Sequence, residues 1–147
     1  MRRRPERQLT REDGYTLTEM LVVIGIICLI AAVLTPNLLN QLGRSKAKAA
    51  QLQLDTTASS IELFKSDVGR YPTQAEGLKA LVQDPDSLAG WTGPYLKGAQ
   101  SLNDPWNDPI VYTLAADGRS FTVQSLGADG KPGGTGLNAD IRAPAAP

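Results

Sequence analysis

Gly14-Tyr15-Thr16-Leu17-Thr18-Glu19, followed by Met20 to Leu34 (MLVVIGIICLIAAVL), is the stretch on which the fold turns. The fifteen residues from Met20 to Leu34 carry no charge and no strong polar group, which is long for a strand and short for a standard bilayer span. Extending the run back to Tyr15 makes it long enough, and the extension takes in Glu19. A lone carboxylate in a membrane helix costs about 2.5–3.5 kcal/mol on insertion scales, so Glu19 marks a function and needs a partner.

Residues 1–14 hold Arg2, Arg3, Arg4, Arg7 and Arg11 against Glu6, Glu12 and Asp13, an excess of two positive charges. The remaining ten basic and twelve acidic residues leave the rest of the chain two units negative. A secretory signal peptide shares the basic start and apolar core, but it ends in a small-residue cleavage site. Here the run ends in Thr35-Pro36-Asn37 and helical patterning continues beyond it. A plain signal anchor, with its arginines held in the cytoplasm, accounts for orientation and leaves Glu19 unexplained.

Carboxyl-terminal to the run, Pro36 is expected to kink or locally break the helix, with Gly25 a second weak point. Leu42, Ala50, Leu54, Ala58, Ile61, Phe64 and Val68 then recur mostly at three- and four-residue steps, with charged and polar residues between them. They predict an amphipathic helix from about Pro36 to Asp67, ended by Gly69 and Pro72. Arg44, Lys46 and Lys48 form a charge cluster, read as a solvated face in preference to a lipid contact.

Thr73-Gln74-Ala75-Glu76 reads as a capping box that opens a short helix through Leu78, Leu81 and Val82. From Leu88 to Pro109 glycine, proline, asparagine and aspartate predict a long loop, with Trp91, Tyr95 and Trp106 as its anchors. Ile110–Leu114 and Phe121–Leu126 are β-rich, and the Asp117-Gly118 turn between them signals a hairpin. A small antiparallel sheet packed on the long helix is the expected result.

Leu126 to Ile141 is rich in glycine and aspartate. Asp129 and Asp140 span twelve positions inclusively, the length of an EF-hand loop, but Lys131 and Gly133 stand where oxygen ligands are needed. Gly133-Gly134-Thr135-Gly136 is similar to part of a Ca²⁺-binding nonapeptide repeat, but only one copy exists and such repeats need stacking. Phosphate cradling lacks a G-K-[ST] sequence and a following helix. The physical case for Ca²⁺ is that glycines let carbonyls turn inward while two aspartates supply hard charged oxygens.

At 147 residues the chain has room for one modest domain and an appendage. Formal charge is zero, so nothing in the balance calls for nucleic acid. The absence of histidine excludes His-based acid–base chemistry, a Ser/His/Asp triad and histidine-ligated metals. Cys28, the one cysteine, lies in the apolar run as a structural thiol and leaves no intrachain disulfide. Asp104 and Asp108 read as turn residues beside prolines, and no enzyme is expected.

Gly14-Tyr15-Thr16-Leu17-Thr18-Glu19 resembles the type IV prepilin signature, in which an aromatic or apolar residue and T-L-x-E follow a glycine. The resemblance implies a cut after Gly14 by an inner-membrane aspartic peptidase acting on the cytoplasmic side. It also implies N-methylation of Tyr15 and places Glu19 fifth in the mature chain. The family usually has Phe where this chain has Tyr15. Glu19 can then pair with the Tyr15 ammonium of a packed neighbour; removing one partner of a buried pair costs about 3–5 kcal/mol, enough to set subunit register. Pro36 takes the role of a kink in the packed helix.

Gly69-Arg70-Tyr71-Pro72-Thr73, Gly77-Leu78, Gly93-Pro94-Tyr95, Asp104-Pro105-Trp106-Asn107-Asp108-Pro109 and Ser125-Leu126-Gly127-Ala128-Asp129-Gly130 resemble the major pseudopilins of the type II secretion system. That resemblance implies an α+β, type IV pilin-like fold: a long amino-terminal helix on a small antiparallel sheet, with a loop-rich carboxyl end. The implied layout is a cleaved leader at 1–14, a transmembrane or fibre-core helix at 15–35 and an amphipathic half at 36–68. A periplasmic globular domain at 69–142 and a disordered tail at 143–147 complete it. A structural Ca²⁺ would be held by the Asp129 and Asp140 side chains and the Leu126 carbonyl, with Asn138 a fourth candidate. Such a subunit sits in the inner membrane and polymerises with itself into a periplasmic fibre that drives protein secretion. Its partners would be the prepilin peptidase, minor pseudopilins and the inner-membrane assembly platform with its ATPase. Two alternatives stand beside it: a pilus subunit for adhesion or twitching, and a membrane-anchored Ca²⁺-dependent module binding sugars through Trp91 or Trp106.

Overall fold

The computed structural model describes residues 14–144; most of the expected leader, 1–13, and the end of the expected tail, 145–147, lie outside them. The chain divides into two compact units between Leu39 and Asn40. Helix α1, Leu17–Val68, is assigned without a break and contributes to both.

Every described side chain of the first unit is exposed, the apolar run from Met20 to Leu34 included. Among the described residues of the unit nothing covers this surface, and α1 is long and apolar enough to cross a membrane. Cys28 shares that exposure, and none of the described residues of its unit buries its thiol. Pro36 does not break the helix, whose assignment runs through it. Proline offers no N–H to the carbonyl four residues back. One position earlier, the Thr35 hydroxyl donates to the Ala31 carbonyl at 2.6 Å, a back-bond of the kind that slightly bends helices.

In the second unit α1 has a true inner face: Ala50, Leu54, Ile61 and Phe64 are fully buried, with Ala58 and Val68 packed at its margin. Leu42 does not belong to that face and is 56% exposed. Thr57 does belong to it, its hydroxyl bonded to the Gln53 carbonyl of its own helix at 2.9 Å. Gly69 ends the helix at φ +84°, a conformation that glycine adopts without strain, and donates its N–H to the Lys65 carbonyl.

The capping box forms as expected. Thr73 N–H donates to Glu76 Oε2 at 2.7 Å, and Glu76 N–H donates back to Thr73 Oγ1 at 3.2 Å. The segment it opens, Gly77–Leu81, is a 3₁₀ turn instead of an α-helix, because Gly77 sits at φ +57°, outside the right-handed helical region. Arg70 grips the same Glu76 carboxylate with two bonds of 2.7 Å.

Strands β1 (Val111–Leu114) and β2 (Phe121–Ser125) pair antiparallel, with Gly118 at φ +65° in their turn. Phe121, Val123 and Ser125 of β2 point inward in strict alternation. A third strand, β3 (Ile141–Ala143), pairs antiparallel on the far side of β2, giving the order β1-β2-β3. Residue 143, expected to open a disordered tail, is therefore strand, and Ala143 is fully buried opposite Val123. The sheet, Tyr71, Leu78, Leu81 and Leu96 close over the inner face of α1 as one core.

Ser125 is the polar member of the inward row. Its hydroxyl donates to the buried carboxylate of Asp104, which also accepts the N–H groups of Trp106 and Asp108 at 2.9 Å. The Ser125 oxygen in turn accepts the Gly127 N–H at 3.3 Å. Asp104, expected as a simple turn residue, thus ties the aromatic loop to the strand that leads into the glycine-rich segment.

Two outcomes are expected. Asp104→Ala strands a buried hydroxyl and two N–H groups and should lower unfolding stability by about 2–4 kcal/mol in a denaturant titration, against about 1 for Ser125→Ala. The Arg70 guanidinium, bonded to Glu76, holds that carboxyl down at about 2, against an ordinary 4.5. A depressed folded value gives stability that is complete above the unfolded value and lost as pH falls toward the folded one. The melting midpoint should therefore drop between about pH 4.5 and 2, and Glu76→Gln should flatten that drop.

Candidate functional site

At the amino-terminal end Gly14, Tyr15 and Thr16 lie outside any helix, and α1 begins at Leu17. Thr16 caps it: Glu19 N–H donates to Thr16 Oγ1 at 3.2 Å, and Met20 N–H to the Thr16 carbonyl at 3.1 Å. Glu19 lies in the first turn, where a negative charge complements the helix dipole. Its side chain and that of Tyr15 are exposed, with Tyr15 at 77%. Thr16 is a residue the sequence reading passed over, though T-x-x-E before an apolar run is the capping-box pattern.

The glycine-rich segment folds back on itself. Its 3₁₀ turns Gly127–Asp129 and Gly136–Asn138 lie against one another. Gly127, at φ +72°, faces the backbone of Asn138 and Ala139 so closely that a Cβ there would stand 2.9 Å from it. Gly134, at φ +85°, presses on the Asn138 carbonyl in the same way. Leu126, Asp129 and Asn138 are thereby brought to two touching turns. Asp140 enters from the residue before β3, its carboxylate accepting the Gly133 N–H at 3.1 Å on both oxygens. Gln124 and Arg142 reach the same carboxylate at 3.2 and 3.4 Å.

Among the described residues no three Asp, Glu, Cys or His side chains group as a metal site, so a cation here would depend on backbone carbonyls as well as carboxylates. The donors fit a hard divalent ion in kind: two aspartates, the Asn138 amide oxygen and carbonyls turned by glycines. Asp140 Oδ1 accepts only the Gly133 N–H and keeps a second lone pair, while Oδ2 also takes Gln124 and Arg142.

Contacts outside the loop hold it to the rest of the unit. Leu137 rests on Gly43 of α1, where a Cβ would collide with its Cδ1 methyl. The Asp108 carboxylate lies beside Gly130, 3.3 Å from where a Cβ would stand. Neither contact has a local sequence signal. Trp91 is an anchor, its indole N–H donating to the Ala80 carbonyl at 2.9 Å and its ring edge-on to Tyr95.

Residues 37–144 match the family described as type II secretion system protein G, and residues 9–35 match the prokaryotic N-terminal methylation motif. The chain is similar to the type II secretion system core protein G of Xanthomonas campestris pv. campestris, 37% identical over 93% of this chain and 97% of the relative. It is also similar to the core protein G of Pseudomonas aeruginosa, 33% identical over 91% and 96%. In fold it is similar to the major pseudopilin from the type 2 secretion system of enterohaemorrhagic Escherichia coli. The TM-score there is 0.60 at 24% identity, covering 76% of this chain and 97% of that one. The α+β arrangement of a long amino-terminal helix with a small antiparallel sheet is common to both. The methylation motif, ending at residue 35, and the protein G match, from 37 to 144, leave only Pro36 of α1 and the last three residues of the second unit unmatched: the chain belongs to the type II secretion system protein G family.

Proposed function

We infer that this chain is a major pseudopilin, a structural and non-enzymatic subunit that polymerises into a short periplasmic pseudopilus driving type II secretion across the outer membrane. The observation that carries this is the division of α1. One part is apolar on all sides and uncovered by its own unit, and the other buries a face in a separate core. A helix of the first kind needs lipid or other helices around it, and a polymer of such chains supplies the helices.

In this reading the peptidase cuts between Gly14 and Tyr15, Tyr15 is N-methylated, and Glu19 pairs with the new terminus of a neighbour to fix axial register. Before assembly the subunit is a single-pass inner-membrane protein with its second unit in the periplasm. Its partners are other copies, the prepilin peptidase, minor pseudopilins, and the assembly platform with its ATPase. Pro36 gives the helix a place to bend when packed. A Ca²⁺ held by Asp129, Asp140, the Leu126 carbonyl and Asn138 keeps the glycine-rich loop folded, which the oxygen donors and the glycine-built turns support.

A pilus subunit for adhesion is the weaker reading, because the family match over residues 37–144 is to the secretion protein. A sugar-binding module is weaker still, since Trp91 is bonded into the fold.

The protein extracted from membranes should have the mass of residues 15–147 plus one methyl group; an uncut chain, or a cut elsewhere, overturns the reading. Glu19→Ala should be cut normally yet give no fibres, and wild-type fibre yield from this variant would remove its register role. For the loop, adding a chelator should lower the melting midpoint, and Asp129→Ala should abolish that sensitivity. A midpoint that neither treatment moves discards the cation.

A further inference from the structure

Strand β1 is an edge of the sheet. Ala115 N–H donates to the Ser120 carbonyl at 2.9 Å, which makes that position a hydrogen-bonded pair. Counting from it by twos along the register, Thr113 and Val111 also turn their backbone groups toward β2, so Tyr112 and Leu114 turn theirs outward. An outward row of this kind is a template for strand addition. Val111-Tyr112-Thr113-Leu114 contains no charge and no proline, the usual deterrents. The opposite edge has both, with Arg142 in β3 and Pro144 directly after it.

The side chain of Gln74 lies across the uncharged edge. Its Nε2 donates to the Tyr112 carbonyl at 2.9 Å, and its Oε1 accepts the Leu114 N–H at 3.0 Å. A carbonyl and the N–H two residues on both face outward, and an added strand would take them with its own N–H and C=O groups. A primary amide is the one side-chain group that reproduces a peptide's donor and acceptor together. Just before the strand, the Leu102 carbonyl takes the Ile110 N–H at 2.9 Å.

We propose that Gln74 is an edge guard, a side-chain stand-in for a neighbouring strand that stops the β1 edge of a second copy of this chain from pairing with this one. The occupant excluded is a second copy because the edge is complementary to itself. Turned about a two-fold axis, residue 112 of one copy faces residue 114 of the other with donors and acceptors matched. The guard leaves contacts made through α1 untouched and closes only the route through the sheet. It rests on the fold alone and stands whether or not the chain forms a fibre.

The test uses the full chain in detergent micelles. Gln74 is exposed, so replacing it disturbs no core packing. Gln74→Met keeps the length and removes both bonds. Leu114 amide exchange should rise about tenfold or more, and thioflavin-positive, β-rich association should occur at concentrations where the wild type shows none. Gln74→Glu keeps the acceptor for Leu114 and adds an edge charge; its exchange should stay within about twofold of wild type, without thioflavin signal. Unchanged exchange in Gln74→Met, faster exchange without β-rich association, or association of Gln74→Glu equal to that of Gln74→Met would each overturn the proposal.

Discussion

The apolar surface of α1 between Met20 and Leu34 has no cover among the described residues of its own unit, and most properties of the molecule derive from that. In water such a helix would expose some of the most hydrophobic side chains in the chain, at about 25 cal/mol for each Å² left unburied. The only environments that relieve this are lipid and other helices like it. Beyond Leu39 the same helix obeys the opposite rule. Its buried positions fall on one stripe, Ala50, Leu54, Ile61 and Phe64, and the second unit folds around that stripe as a self-sufficient core. One helix thus carries two patterns, apolar on all sides through Leu34 and with a single buried stripe from Ala50 onward.

The second unit is small and short of regular structure, so it is held by polar hubs as much as by apolar packing. Glu76 joins Arg70 to the Thr73 box, and Asp104 gathers Ser125, Trp106 and Asp108. Asp67 at the end of α1 receives the hydroxyls of Thr92 and Tyr95 from the long loop. Each hub is a carboxylate that collects donors from loops, and Asp104 also joins them to strand β2. Among the described residues no buried side-chain polar atom is left without a partner, which is how a loop-rich domain of this size avoids the penalty of desolvated groups.

What could be read from the sequence was what is local. The stripe on α1, the Thr73–Glu76 box, the Asp117-Gly118 hairpin and the Gly69 stop are all set by neighbours within a few positions. What escaped was non-local. Ile141-Arg142-Ala143 is too short to show a period and becomes a strand only because Val123 to Ser125 lies beside it. Pro36 has a strong local preference to break a helix, yet α1 is assigned straight through it. The Asp104–Ser125 bond, the Leu137 seat on Gly43 and the Gln74 reach to β1 join residues 21, 94 and up to 40 positions apart, beyond any pattern a single sequence carries. At the candidate site the oxygen-bearing residues were legible by type, while the glycine contacts that bring their turns together were not.

The cap at Thr16 has a consequence for hydrolysis. A peptidase works on an extended stretch of backbone, and a bond inside a helix has to be unwound before it can be attacked. Because Thr16 starts the ladder at Leu17, the bond between Gly14 and Tyr15 lies outside it and is free of that barrier. A cut at that bond, as proposed above, would need no turn of the helix to melt.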